Sequence, residues 1–585
     1  MSKTNQEIAN LLYLISIYLK MENVPFKPQA YEKAALFVEG LSEDVEDIFT
    51  KEGEEGLKKI PGIGESIAEK IIEYLKSGKI KEYDNYYKKM PINISELIRV
   101  EGIGPKMIRD LYQKLKITNL EQLEKAAQAG KIRNLENFGE KTEQNILESI
   151  KFLKRSQGRF LLAEALFLAE DIIDKLKRVK EIDRIVYAGS LRRMKETIGD
   201  IDLLATIKPS FVKSPEAKKK VMDAFVNLNG VIKVWDYGLT KSSVRFNNKI
   251  DVDLRVVDDY EFGSALQYFT GSKEHNIRTR KLAMEKKLKL NEYGVFRGQK
   301  LIAGKTEKDV YQSIGLPYLE PELREDAGEI EAALTNNLPK IIDYDDIKGD
   351  LHCHSNWDGG ENSIEEMAEA GRLMGYEYFG ISDHTKFLRI ENGLDEKQLL
   401  QQHKEIQKLN SKFKNLQFKI LHGCETNILN DGSLDIDDQV LSQLDYVIAG
   451  IHSNMRISKD EMTERVIKAM RNPNVDVISH PTGRLINRRD EFALDFDKIL
   501  TVAKETNTAL EINASLFRLD LNDKNIRKAI EKGVKLVINT DAHQKEQLQF
   551  IRFGISQARR GWATKDDIIN AWPLERLLKF LQSSP

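Results

Sequence analysis

The feature that most narrows what this chain can fold into is the segment Gly189–Asp202, GSLRRMKETIGDID. Alternate residues of a β-strand share a face, so on a strand Asp200 and Asp202 project side by side. Paired carboxylates at that spacing make poor core residues and good ligands for hard divalent cations such as Mg²⁺. Just upstream lie a small Gly-Ser turn and the guanidinium forks of Arg192 and Arg193, which suit phosphate oxygens. Together these parts describe a metal-assisted phosphoryl-transfer site. An exposed strand with an acidic tip would account for the two aspartates alone. It does not account for a second acidic strand at Ile250–Val257, or for the turn Tyr268-Phe269-Thr270-Gly271-Ser272 that leads into a basic helix predicted over Arg278–Leu290. On that second strand Asp251 and Asp253 again share one face.

Taken in order, GSLRR, GDID, DLR and YFTGS resemble the nucleotidyltransferase core of family X DNA polymerases, the group containing polymerase beta. Spacing from YFTGS selects Asp253 over Asp251 as the third carboxylate by this resemblance. The resemblance implies that Asp200 and Asp202 hold two Mg²⁺ ions and that Asp253 binds the one activating a primer 3′-OH. It also implies that Gly189, Ser190, Arg193 and Gly199 meet the triphosphate of a dNTP, while Tyr268, Phe269 and Gly271 border the sugar. Asn276 would reach the incoming base, and Arg280 the template minor groove.

A chain of 585 residues exceeds one core and implies roughly three to five domains. The net charge of −2 hides an asymmetry: residues 151–300 carry 31 basic against 20 acidic side chains, and residues 301–585 carry 37 against 47. A basic middle fits a polyanion partner and an acidic tail fits metal binding. With only Cys353 and Cys424, no disulfide framework is implied and a reducing compartment, the cytoplasm, is expected. No signal segment opens the chain and Leu11–Leu19 is too short to cross a bilayer, so no membrane partner is expected.

Apolar spacing predicts helices over Ile8–Lys20 and Ala30–Glu39. Next come LKKIPGIGESIAEKIIEYL at Leu57–Leu75 and LIRVEGIGPKMIRDLYQKL at Leu97–Leu115, with a weaker echo at Asn137–Leu147. These are helix-hairpin-helix patterns. Gly62, Gly64, Gly102 and Gly104 let the backbone approach a phosphate, and the following helix N-terminus offers free N–H groups. Two copies in register, each followed by a basic helix that includes Lys106 in the second, favour sequence-independent DNA contact over a simple turn. The carbonyls of Ile60 and Ile63, and of Val100 and Ile103, could each hold K⁺ or Na⁺. Lys70 matches the lysine that forms a Schiff base with abasic deoxyribose phosphate in polymerase beta, and Lys27 and Tyr31 match its neighbours. A solvated helix lysine is an equal reading of Lys70.

Beyond Lys348 short apolar strands alternate with helices, the pattern of a parallel α/β barrel. Seven of the nine histidines sit there at expected strand ends. Six segments bring histidines and acids: His352 and His354, His384, Glu425, His452, His480, and Asp541 with His543. Strand C-termini of such a barrel converge on one mouth, so separated segments can build one polynuclear metal site. His275 and His403 stay outside it, and Cys353 should face the core. These motifs resemble the polymerase-and-histidinol-phosphatase (PHP) domain, a trinuclear metallophosphoesterase. The resemblance implies up to three Mn²⁺ or Zn²⁺ ions: one on His352, His354, Glu425 and Asp541; one on His384, His543 and Asp358; one on Glu425, His452 and His480. Asp358 departs from the family pattern, because its carboxylate stands one position early in NWDGG.

The expected organisation is therefore multidomain α+β and α/β. A helical helix-hairpin-helix domain spans 1–90 and a second one 91–150. A palm with a mixed sheet spans 151–260, a nucleotide-selection subdomain 261–319, a linker 320–346 and a PHP barrel 347–585. The implied function is template-directed filling of short gaps in DNA repair by a monomer that uses gapped or nicked duplex DNA and dNTPs. The barrel would add metal-dependent 3′→5′ exonuclease or 3′-end processing, with lyase or abasic endonuclease activity as extensions. Two other classes are a damaged-DNA-binding scaffold with decayed centres and a small-molecule phosphatase fused to a DNA-binding module. Intact palm aspartates weigh against the first and the hairpins against the second.

Overall fold

The first helix, Lys3–Met21, is apolar around most of its circumference and so serves two cores at once. Ile8, Leu12, Ile15 and Leu19 pack with Tyr31, Ile63, Ile67 and Ile71, while Leu14, Ile17, Tyr18 and Met21 pack with Leu97, Ile103, Ile108 and Leu111. A computed structural model describes residues 3–41, 44–60, 62–100, 102–136, 138–155, 158–211 and 214–581. Residues 1–157 form one compact unit, so the two expected hairpin domains share a spine. Gly62 and Gly102 take φ of +76° and +83°, the left-handed turn that glycine makes without strain. Helices Glu65–Ser77 and Pro105–Leu115 follow, capped by Gly64 and Gly104 with no side-chain bond to their first N–H groups. Pro61, Glu101 and Asn137 of the three hairpin patterns lie outside the described residues.

The second unit holds residues 158–486 and 490–585. Its five-stranded mixed sheet runs in the order Ile182–Tyr187, Asp200–Ile207, Asp251–Val257, Lys241–Phe246, Val231–Tyr237. Buried Val252, Leu254 and Val256 face helices Leu162–Leu176 and Pro215–Val226, which leaves Asp251, Asp253 and Arg255 on the other face. The basic helix runs Lys273–Glu285, earlier than the predicted Arg278–Leu290. It stops there because Lys287 turns to φ +57° and Lys289–Asn291 enters a hairpin strand.

Residues 320–346, read from sequence as a linker, are a packed strap. Arg324 is fully buried with Glu307 at 2.6 Å, and buried Glu329 lies 2.7 Å from His275 Nδ1. Acids that look solvated in sequence are consumed by buried partners, Glu322 by Arg559 at 2.7 Å and Glu325 by Arg560 at 3.0 Å.

The last part contains two parallel sheets, of two and five strands. Isolated bridges His384↔Glu425 and Cys353↔Ala542 link segments around them, and among the described residues the two sheets do not close into the expected barrel. The strands are short and buried on both faces, as helix-covered parallel strands are. Helix Ile551–Arg560 sends Phe553 into the palm core beside Leu162 and Ile185, with Leu519 and Ile486. Both cysteines are buried and free, and no described helix is long and apolar enough to cross a membrane.

Because Phe553 belongs to the C-terminal part yet fills the palm core, Phe553→Ala should remove about 3–5 kcal/mol from both at once. Calorimetry should show one transition of the second unit moving down as a whole. A palm transition that fell while the C-terminal part melted at its original temperature would contradict the shared core.

Candidate functional site

Register builds the palm centre. Parallel pairing sets Asp200 beside Asp251 and Asp202 beside Asp253, so four carboxylates crowd one sheet face. Burial, then Asp200 and Asp253, push the Asp202 carboxyl up to about 7; burial and Asp253 also raise Asp200. The four are not equivalent. Arg245 clasps both oxygens of Asp251 at 2.7 Å, Trp235 Nε1 donates to it at 3.0 Å, and the Arg245 bonds hold its carboxyl below the usual range. Among the described residues, Asp253 forms one ion pair, with the Lys241 ammonium at 3.1 Å. Gly189 makes room for the cluster: at φ +63°, a Cβ there would sit 2.3 Å from Asp202 Oδ2.

The groups expected to meet a triphosphate gather next to this face. Arg192 is held by Glu307 at 2.6 Å and Thr270 Oγ1 at 2.7 Å. Arg193 Nε donates to Glu325 at 3.0 Å and its Nη1 to the Thr270 carbonyl. Gly271 lies so close to Arg193 that a Cβ would stand 3.1 Å from Nη1. Arg560 also takes Glu325, at 3.0 Å, and the Arg193 carbonyl at 2.7 Å. Tyr268 and Phe269 meet edge to face, and Arg255 lies 4.3 Å over the Phe269 ring. Asn276 is buried, its amide engaged by the Tyr268 carbonyl at 2.7 Å and by Gln267 at 2.8 Å. Ser190 follows Gly189 in the short Gly189–Arg192 helix, Gly199 precedes the Asp200 strand, and Arg280 is exposed on the Lys273–Glu285 helix.

In the first unit Lys70 and Tyr31 meet on one carboxylate that sequence reasoning did not name. Glu82 lies 3.1 Å from Lys70 Nζ and accepts from Tyr31 O–H at 3.0 Å. Lys27 is exposed at the start of the Tyr31 helix, and Lys106 is exposed just inside the second hairpin helix.

At the strand ends of the C-terminal part Glu425 is the hub. Its Oε2 lies 3.3 Å from His352 Nε2 and 3.1 Å from His384 Nε2; its Oε1 lies 3.3 Å from His452 Nε2 and 3.1 Å from His480 Nε2. His354 Nε2 approaches Asp541 Oδ1 at 3.3 Å, and the His543 ring stacks on His354 at 4.1 Å. His352 Nε2, His354 Nε2 and His480 Nδ1 are buried without a hydrogen bond. Of these, His352 Nε2 and His354 Nε2 face carboxylates at 3.3 Å without bonding them, which fits a site shaped for cations. Donor atoms of His354, His384 and His543, of His352, His354 and Asp541, and of His384, Glu425 and His452 each lie within 4.8 Å of one another. Burial opposes charge here, yet His352 holds the Glu425 carboxyl well below the usual range, and Asp358 with Asp541 lifts His354 to about 10.

Outside this cluster lie His275, buried between Glu329 and Tyr311, His403, which bonds His422, and Cys353, buried beside Thr540. Sequence reasoning missed the carboxylate behind His352, Glu511 at 2.7 Å, and the amide behind His452, Asn427 at 2.7 Å. Both sit at alternate-residue spacing with another polar group on a strand, Glu511 with Asn513 and Asn427 with Glu425, the same signal that exposed His352 and His354.

The chain matches the helix-hairpin-helix domain family over residues 3–80 and the SAM-like helix-hairpin-helix tandem over 94–151. It matches the DNA polymerase beta thumb over 265–325 and the PHP domain over 350–515. It is 38% identical over 583 residues, 99% of each chain, to the DNA polymerase/3′-5′ exonuclease PolX of Bacillus subtilis (strain 168). A 162-residue stretch, 26% of this chain, is 32% identical to 64% of a probable phosphatase of Thermoanaerobacter sp. (strain X514). A 203-residue stretch, 33% of this chain, is 30% identical to 78% of a probable phosphatase of Acetivibrio thermocellus.

The raised Asp202 carboxyl has a measurable consequence. Below a pKa of about 7 it carries a proton that competes with a cation. The part of Mg²⁺ uptake that Asp202→Asn abolishes should weaken by about tenfold per pH unit below 7 in titration calorimetry. Uptake unchanged from pH 8 to 5.5 would contradict the crowding.

Proposed function

The chain belongs to the family X DNA polymerases that carry a PHP domain, and we propose that it fills short gaps in duplex DNA during base-excision repair. It is a DNA polymerase with a 3′→5′ exonuclease domain, and both depend on divalent metal. The observation that carries the finer reading is the register of Asp200 and Asp202 with Asp251 and Asp253. Asp251 is consumed by Arg245 and Trp235, which leaves Asp200, Asp202 and Asp253 to hold two Mg²⁺. Bound ions supply Lewis-acid activation of the attacking oxygen and offset charge on the transferred phosphoryl group.

The chain's own residues do the rest. Arg193 exchanges Glu325 for the triphosphate, beside Ser190 and Gly199, and the close approach at Gly271 keeps the guanidinium against the turn. Gly189 keeps the backbone off Asp202. Tyr268 and Phe269 border the sugar, Asn276 gives up its bonds to Gln267 and Tyr268 to reach the base, and Arg280 meets the template. In the barrel, His352, His354, His384, Glu425, His452, His480, Asp541 and His543 would hold up to three Mn²⁺ or Zn²⁺ ions, which would supply phosphodiester hydrolysis for 3′-end removal. Backbone N–H groups after Gly64 and Gly104 hold DNA phosphates, with K⁺ or Na⁺ on the carbonyls of Ile60, Ile63, Val100 and Ile103. The working form is a cytoplasmic monomer on gapped or nicked duplex.

Each metal set is complete on its own side of the unit. Asp253→Ala should therefore lower dNTP incorporation by several kcal/mol, roughly a thousandfold, and leave Mn²⁺-dependent 3′ degradation within about twofold. His352→Ala should do the reverse. Loss of both activities in a folded Asp253→Ala chain would overturn the two-centre reading.

The Lys70–Glu82–Tyr31 cluster supports a lyase pocket in which the amine is parked on a carboxylate. Borohydride should trap the protein on incised abasic DNA, and Lys70→Ala should remove the adduct. Undiminished trapping by that variant would assign the chemistry to another amine.

A further inference from the structure

Five of the six site histidines engage Nδ1 with a protein group; His480, whose Nδ1 makes no hydrogen bond, is the exception. His352 gives Nδ1 to Glu511 at 2.7 Å, His452 to Asn427 at 2.7 Å and His543 to the Asp541 carbonyl at 3.0 Å. In His352 and His452 the other ring nitrogen, Nε2, faces Glu425. A partner on the outer nitrogen fixes the tautomer and aims the inner one, as around most metal-binding imidazoles. His354 and His384 follow the same rule. The Nδ1 atoms of both lie 2.8 Å from one oxygen, Asp358 Oδ2, while His354 Nε2 faces Asp541 and His384 Nε2 faces Glu425.

Asp358 is heavily committed where it stands. Its Oδ2 also accepts the His384 backbone N–H at 2.9 Å, and its Oδ1 accepts the Gly360 N–H at 2.9 Å. Three donors on Oδ2 exceed its two lone-pair directions, so that oxygen has none to spare for an ion. Asp383, which lies in the same cluster, is turned onto Ser355 Oγ at 2.6 Å and cannot take its place.

Resting on the reading of the barrel as a metal centre, we propose that Asp358 ligates no ion. It is instead a shared positioning carboxylate that fixes His354 and His384 together, so that both present Nε2 to ions at Asp541 and Glu425. The ion reached by His384 and His543 then receives no carboxylate from this loop, which leaves coordination positions for phosphate oxygens. This reassigns Asp358 from the ligand role that its family resemblance suggested.

The test is equilibrium dialysis of the full chain against Mn²⁺ with metal analysis, in an Asp202→Asn background so that the palm contributes little. Far-UV dichroism checks the fold. His543→Ala, which deletes a ligand, should lower the saturating stoichiometry by one ion. Asp358→Ala should keep the parent's stoichiometry, while two of the ions bind about 10–100-fold more weakly. Asp358→Asn, which retains an acceptor, should recover much of that affinity, a rescue that loss of a ligand would not allow. If Asp358→Ala instead loses one ion at saturation with the others unchanged, as His543→Ala does, Asp358 is a ligand and the proposal fails. If the parent binds no Mn²⁺ that His352→Ala abolishes, the metal-centre reading itself fails, and the proposal with it.

Discussion

Carboxylates held side by side by β-strands repel one another, and a bound cation relieves that repulsion without dismantling the strands. The palm and the barrel are two solutions to this one problem. In the palm, parallel pairing aligns Asp200 with Asp251 and Asp202 with Asp253, and burial sharpens the conflict until Asp202 titrates near 7. Arg245 resolves a quarter of it by neutralising Asp251 permanently. In the barrel the conflict is inverted. Glu425 is surrounded by four imidazole nitrogens at 3.1–3.3 Å, so protonated histidine and metal compete for the same space.

The two centres are chemically separate but mechanically joined. Phe553 and Leu519 complete the palm core, and Arg560 bonds both Glu325 and the Arg193 carbonyl. Glu325 therefore stands between a barrel arginine and Arg193, the arginine proposed to meet the triphosphate. Lys195 also pairs with Glu325, at 3.5 Å, and a carboxylate with three cationic partners can release one at lower cost than a carboxylate with a single partner. That arrangement keeps Arg193 ordered in the absence of nucleotide while leaving it available.

Much of the candidate chemistry was legible in the sequence because it obeys a period. The doublets at Asp200 and Asp202 and at His352 and His354 follow the alternation of a strand, and the two hairpins repeat in register. What was not legible depends on partners remote in the chain. Glu325 meets Arg560 from 235 positions away, and Glu511 meets His352 from 159. Residues 320–346 read as a linker because nothing nearby in sequence announces the arginines that pair with their acids. Asp358 looked like a displaced ligand for a related reason. Two of its four hydrogen-bond donors come from His384, 26 residues away, and no spacing rule places them.

If the palm aspartates and the Glu425 cluster both take up metal, one chain carries two metal centres built on separate strand sets. Crystals grown with Mn²⁺ and measured at its absorption edge test this most directly. Anomalous peaks are expected at two places, one among Asp200, Asp202 and Asp253 and one around Glu425. Peaks at only one of them, with the other set of carboxylates ordered and satisfied by protein groups alone, would contradict that expectation.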